Sequence, residues 1–540
     1  MGATVRAVRA LVLLAGFYLL GVLLLAVLGG VDYLLYLFVP AGIAAKLYLL
    51  SVLLAIPVVR GMFMLRTPKA EGPDGVRVTE ADEPELWRTV RELAERVGTR
   101  APAEIVLTAE VNAAVFERSR FLGLLPGPRT LILGVPLMQG LGEAQLRAVI
   151  AHELGHYINS DTRLAALTVR GRTQIIRTIR HFEERSGNAA EREREKMRKK
   201  AARAEAKGRT PKEVPGEDEP GRAGMTYRAM ARIYTLYADF YFRATRAGAR
   251  RQEYAADLAS ARIAGREATV SALRELPVLD AAHDFYLRSY ATLGQEAEVL
   301  PPRGEFFGGF GRLLSARALE LLKLRDELPA ETPSPYDSHP PIADRVRRIE
   351  ALPDDGRTHE SAGAALALLT DPDRTLLALE DAVLTPRARA LPRADDWQDL
   401  LERAMAGQVA DFRSPLHQAV ARYTGEQPTL SVVLGLIDEG RLWKVAQRMP
   451  LSDEAAAAEG RAFREFVRPA LHSSVSGMVL AELGSRSLLR WEFSWSRPAT
   501  AQLATAADGG ERDLDAAVEA AVADVPDTRP LRALLPTPAP

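Results

Sequence analysis

Between Ala10 and Val59 the chain carries only two formal charges, Asp32 and Lys46. As continuous helix at 1.5 Å per residue, these residues would reach about 75 Å, enough for two crossings of a hydrocarbon core about 30 Å thick. The pattern predicts two spans, roughly Ala10–Gly29 and Val39–Val59, with Gly29-Gly30 and Asp32 at the turn. A cleaved signal peptide would have a shorter apolar region and no second apolar segment behind it. Arg6 and Arg9 precede the first span and Arg60, Arg66 and Lys69 follow the second, while the loop between is nearly uncharged. The positive-inside rule then puts both ends in the cytoplasm. The expected protein is a multi-pass protein of the cell membrane, anchored in the lipid bilayer by residues 1–60, with a cytoplasmic body.

The rest of the 540 residues is too long for one core and predicts three or four domains in total at about 150 residues each. Lys+Arg 70 against Asp+Glu 70 leaves no net field to hold nucleic acid, so no nucleic-acid partner is expected. The absence of cysteine excludes a disulfide framework, a Cys-ligated zinc ribbon, an iron–sulfur cluster and a thiol nucleophile. Any metal must be held by carboxylates and by some of the 8 histidines.

Thr79-Glu80-Ala81-Asp82-Glu83-Pro84 reads as a helix start, and Leu86, Val90, Leu93 and Val97 follow at helical spacing. Apolar runs at Glu104–Leu107, Asn112–Phe116 and Thr130–Leu133 read as strands, and Glu143 to Ile158 as a helix. Residues 183–224 are densely charged and predict a solvated helix or flexible insert. Helical pattern resumes over Thr226–Ala264 and Leu313–Leu328. Beyond Leu352 the chain is rich in Ala, Leu and Arg and mainly helical in pattern, except for a period-two strand at Leu489–Trp495. The end, 525–540, is Pro-rich and expected to be loose.

Chemistry concentrates in Ala151-His152-Glu153-Leu154-Gly155-His156. On a helix His152 and His156 stand about 40° apart in azimuth and one turn apart in height, so both imidazoles reach one ion. Glu153 then sits beside a metal-bound water as general base. Gly155 costs about 1 kcal/mol inside a helix, which points to another backbone packed close by. A catalytic zinc needs a third protein ligand and an open position. The best candidate is Glu253, in Glu253-Tyr254-Ala255-Ala256-Asp257, with Asp257 one turn on to accept the other ring N–H of a ligating histidine. Ala255, Ala256 and Ala259 would let that helix approach Gly155.

These residues resemble the HtpX-like and CAAX-prenyl-protease-type membrane-anchored zinc metallopeptidases. The match runs over about residues 1–352. It consists of the apolar amino-terminal pair, Asn112-Ala113 before the metal helix, His152-Glu153-Leu154-Gly155-His156, Glu253-x-x-x-Asp257, and Ser338-His339-Pro340-Pro341 leading into Asp344-Arg345-Val346-Arg347-Arg348. The resemblance implies one zinc per chain on His152, His156 and Glu253, with Glu153 as general base and Asp257 as a support or proton donor. It also implies a polypeptide substrate and a role in quality control of membrane proteins. Two features depart from it. HtpX-like proteins carry a second membrane hairpin where this chain has its charged insert, and Ala114 stands where members often have Phe.

The Asn112–Phe116 strand reads either as an ordinary sheet strand or as an exposed edge on which an extended peptide adds above the metal. His339, held by two prolines, reads either as a donor to the developing oxyanion or as a structural histidine in a Pro-rich turn. The expected fold is α+β and mainly helical. It comprises the transmembrane hairpin 1–60, a zincin-like metallopeptidase domain 75–352 with a small sheet, a helical accessory region 353–524 and the tail 525–540. The expected function is zinc-dependent endopeptidase. The alternative is a membrane-anchored interaction scaffold that keeps the fold without activity.

Overall fold

The structure, a computed structural model, describes residues 3–63, 74–117, 127–158, 162–205, 225–326, 339–354, 356, 363–410, 412–503 and 510–535. Two compact units divide the chain, residues 1–278 with 324–370 and residues 279–323 with 371–540. The elements begin with α1 (Ala3–Phe38), α2 (Ala41–Phe63), β1 (Val76–Val78), α3 (Pro84–Val97), β2 (Glu104–Thr108), β3 (Ala113–Glu117) and β4 (Arg129–Gly134). They continue with α4 (Val135–Gly140), α5 (Glu143–Gly155), α6 (Thr162–Glu205), α7 (Met225–Ala264), α8 (Arg266–Tyr286), α9 (Glu305–Ala316), α10 (Ala318–Asp326) and α11 (Ile342–Glu350).

In the first unit α1 runs unbroken past Gly29 and Gly30, so the turn expected there is displaced. It lies at Val39 and Pro40, because proline has no N–H to continue a helix and biases the preceding residue away from helical geometry. The Pro40 carbonyl accepts from the Ile43 and Ala44 amides at 3.0 Å as α2 begins. Ala15–Phe38 is the one helix among the described residues that is long and apolar enough to cross a membrane.

The charged segment expected as an insert is helical to Glu205, where it forms the second half of α6, and 206–224 fall outside the described residues. Ile175, Ile179 and Phe182 of α6 meet Tyr234, Ala238, Tyr241 and Phe242 of α7 around Leu13 and Phe17 of α1. The i, i+4, i+7 spacing gives each of these long helices one apolar stripe.

The three expected strands form as β2, β3 and β4. With β1 they make a four-stranded sheet in the order β1-β2-β4-β3, in which β2 and β4 run parallel and the outer pairs antiparallel. β4 is buried along its whole length, and β3 is an edge strand. The apolar stripe of α3, Leu86, Val90, Leu93 and Val97, is buried as its spacing predicts.

The second unit takes in residues 279–323 as well as 371–540. Residues 279–323 join it because Tyr286, Tyr290 and Phe310 pack with Trp397, Phe493 and Trp495, the Tyr290 and Trp495 rings stacking at 5.0 Å. A larger core gathers Leu416, Val433, Leu471, Val475, Val518 and Leu531 from successive helices. The strand expected at Leu489–Trp495 is shorter, Leu489–Glu492, and pairs antiparallel with Thr500–Leu503. The carboxy-terminal segment expected to be loose contains the helix Arg529–Leu534, pinned by fully buried Leu531, while 536–540 fall outside the described residues.

Candidate metal centre

Two helices of the first unit build the site. α5 carries His152 and Glu153 in its last turn, with His156 capping its end, and α7 carries Glu253 and Asp257. Their close approach depends on small side chains. A Cβ added at Gly155 would lie 3.2 Å from the Ala256 Cα and 3.3 Å from the Ala259 Cβ, which is tight for any residue but glycine. Ser260 reinforces the crossing by donating to the Ala148 carbonyl at 2.8 Å, and its hydroxyl lies 3.1 Å from that of Thr269 on α8.

The expected ligand groups converge. His152 is buried, with Nδ1 3.0 Å from Asp257 Oδ1 and Nε2 3.6 Å from Glu253 Oε2. His156 Nε2 is 3.8 Å from Glu253 Oε1, and the two imidazoles meet edge to face with centroids 4.8 Å apart. Two triplets, His152–Glu153–His156 and His152–Glu253–His339, each bring their ligand atoms within 4.8 Å of one another. His339 arrives from the chain leading into α11, its Nδ1 2.5 Å from Glu253 Oε2 and its side chain 45% exposed. The histidine expected as an oxyanion donor thus engages the carboxylate expected to ligate the metal.

Burial and charge set the protonation of the group. Burial opposes a charge on His152, but its bonds to Asp257 and Glu253 carry it up to about 9. Burial pulls His156 down to about 4, with the nearby His152 charge adding to the effect, so its nitrogen lone pair is available. Burial pushes the Glu153 carboxyl up. Burial also works to raise Glu253, yet hydrogen bonds from His152 and His339 hold it well below the ordinary carboxylate range. Asp257 is likewise lowered against its burial by His152 and Arg345.

Arg345 is the site residue whose role the sequence did not disclose. It is buried on α11 and grips Asp257 with both ends of its guanidinium, Nε at 3.0 Å from Oδ2 and Nη2 at 2.7 Å from Oδ1. Its Nη2 also lies 3.4 Å from His152 Nδ1. A fork of two parallel bonds fixes a carboxylate's orientation as well as its charge. The one sequence cue is an arginine four residues beyond the His339-Pro340-Pro341 turn, which does not name its partner 88 residues upstream.

The donor set fits a divalent cation of borderline softness. It offers two imidazoles one helical turn apart, a carboxylate held ionised, and no thiolate. Three carboxylates, Glu153, Glu253 and Asp257, surround the histidine pair, and Arg345 balances the charge of Asp257.

The model for peptidase family M48 matches residues 80–352, which contain every one of these side chains. The chain belongs to peptidase family M48. Protease HtpX of Acinetobacter baylyi is 28% identical over 218 residues, covering 38% of this chain and 62% of that protein. A Protease HtpX homolog of a Nostoc species is 33% identical over 101 residues, 18% of this chain and 33% of that protein. Another from a Janthinobacterium species is 31% identical over 105 residues, with the same two coverages, 18% and 33%. The chain therefore spans less than two thirds of the length of these relatives. No solved structure matches it. The M48 match takes in both helices of the metal centre and the α11 helix that supplies Arg345.

Proposed function

We propose that this M48 chain is a membrane-anchored zinc endopeptidase whose metal sits on His152, His156 and Glu253. The observation that carries the reading is the convergence of the α5 imidazoles with the α7 carboxylate, with Glu153 alongside them. A bound zinc supplies Lewis-acid polarisation of a peptide carbonyl and of water. The protein's own groups do the rest. Glu153, whose carboxyl burial pushes up, takes a proton from the attacking water and returns it to the leaving amine. Asp257 accepts from His152 Nδ1 and so fixes the tautomer that leaves Nε2 as the ligand atom. Arg345 holds Asp257 in that orientation. Nδ1 of His339 meets Glu253, so a role as donor to the developing oxyanion requires both of its ring nitrogens to carry hydrogen.

An extended polypeptide adds to the edge strand β3, and main-chain bonding holds it with little regard to side-chain sequence. The apolar helix α1 anchors the chain in the membrane, and the arginines flanking the apolar stretch orient the catalytic body to the cytoplasm. The test is casein cleavage by detergent-solubilised full-length protein, with and without a chelator, beside Glu153→Gln. Cleavage should vanish in the chelator and in the variant. Casein left uncut by the zinc-replete native protein, or cut equally by the variant, would overturn the reading.

A further inference from the structure

The outward edge of β3 is not uniformly open. Gly134 donates to the Asn112 carbonyl at 2.7 Å, and the register pairs Ala114 with Ile132 and Phe116 with Thr130. In an antiparallel ladder the hydrogen-bonding residues alternate. Asn112, Ala114 and Phe116 therefore direct their backbone groups toward β4, and Ala113, Val115 and Glu117 direct theirs away from it. An added strand would bond at those outward positions, two residues and about 7 Å apart.

One of them is already taken. The hydroxyl of Tyr157, two residues beyond the end of the metal helix α5, donates to the Val115 carbonyl at 2.7 Å. Tyr157 is built into place rather than resting on the surface. The buried Arg129 guanidinium lies 4.3 Å over its ring, within cation–π range. Arg129 is itself held by Glu117 at 3.0 Å and by the Thr99 hydroxyl at 2.7 Å, and Thr99 donates back to the Tyr157 carbonyl at 3.3 Å.

We propose that Tyr157 is a stop on the substrate edge: by satisfying the Val115 carbonyl it separates the two remaining outward positions, Ala113 and Glu117, and so limits how many residues of an extended polypeptide the enzyme grips in one continuous ladder. This inference rests on strand addition at β3. It makes Tyr157 a specificity-determining residue that sets footprint length, while side-chain preference is left to other parts of the cleft. Removing the hydroxyl alone would free the carbonyl for a substrate amide, and the ring would stay under Arg129.

The test uses full-length protein carrying Glu153→Gln, which binds without cutting, and fluorescent extended peptides lengthened by one residue at a time from either end. Anisotropy should show affinity that stops rising with length early in the Tyr157 protein. Tyr157→Phe in the same background should gain about two- to tenfold, the range of one net hydrogen bond, for peptides lengthened at one end, and nothing for the shortest. Thermal unfolding of both proteins checks that the fold is unchanged. Equal length dependence in the two proteins, or a gain equal for short and long peptides, would overturn the stop while strand addition stands. Absence of binding by both zinc-replete proteins would overturn strand addition and the stop together.

Discussion

The two halves of α7 solve opposite problems with one helix. Its first half presents Tyr234, Ala238, Tyr241 and Phe242 to α6 and α1, an aromatic-rich cluster with no buried acid in it. Its second half presents Ala256 and Ala259 to Gly155 and buries Glu253, Asp257 and Ser260. Large rings fill space and contribute by area removed from water. Small residues do the reverse. They bring two backbones near enough that short acidic side chains from one helix reach histidines on the other. Burying carboxylates is unfavourable unless they are paired, and here each is met by His152, His339 or Arg345. The same helix is thus held by apolar packing at one end and carries the candidate metal-binding carboxylate at the other.

Substitutions at the two ends should therefore fail in different ways. The largest effect expected is in Glu153→Gln, where turnover should fall by about a hundred- to ten-thousandfold, the usual share of a general base, with thermal unfolding and metal content unchanged. Peptide-cleavage rates measured beside zinc content check this, and a variant that loses its metal as well would mean Glu153 is a ligand. Next comes Tyr234→Ala, which empties a fully buried aromatic site and should destabilise the first unit by about 3–5 kcal/mol. Urea unfolding in detergent would show it, while the folded fraction should keep its zinc affinity. A zinc-affinity loss as large as the stability loss would erase the distinction between the two halves.

Arg345→Ala should act at the other end. It frees Asp257 and hence His152, and outer partners of metal ligands are worth about 10- to 100-fold in affinity. Competition with a chromophoric chelator measures that, and Arg345→Lys should recover only part of it, because an ammonium cannot fork onto both carboxylate oxygens. The smallest effect belongs to Gly155→Ala. Crowding against Ala256 and Ala259 costs about 1–3 kcal/mol, against which alanine regains about 1 kcal/mol of helix propensity. Stability should change little while zinc affinity falls several-fold, since the two helices must part. Unchanged affinity would show that the site does not depend on the closeness of α5 and α7.

The sequence disclosed the local features well. His152, Glu153 and His156 lie in one turn, so their shared face follows from helical geometry alone, and Gly155 with its facing alanines signalled the close crossing before the helices were seen together. The expected strands emerged as β2, β3 and β4 for the same reason, since period and turn chemistry are local. Distant pairings were not legible. Arg345 meets Asp257 across 88 residues, and no spacing rule links them. Nor did composition show that Tyr286 and Tyr290 pack with Trp397 and Trp495, which brings residues 279–323 into the second compact unit. Gly29-Gly30 does not interrupt α1, because glycine only weakens a helix, whereas Pro40 removes a donor outright just past its end.

The central claim is that α5 and α7 together hold one metal ion, and the zinc-to-protein ratio of the purified full-length protein tests it most directly. By elemental mass spectrometry after dialysis against a weak chelator, the native protein should carry one zinc per chain, and Glu253→Ala, which removes the proposed α7 ligand and leaves His152 and His156, should carry much less at the same folded fraction. A native protein without bound zinc, or a folded Glu253→Ala variant with its zinc undiminished, would contradict the account.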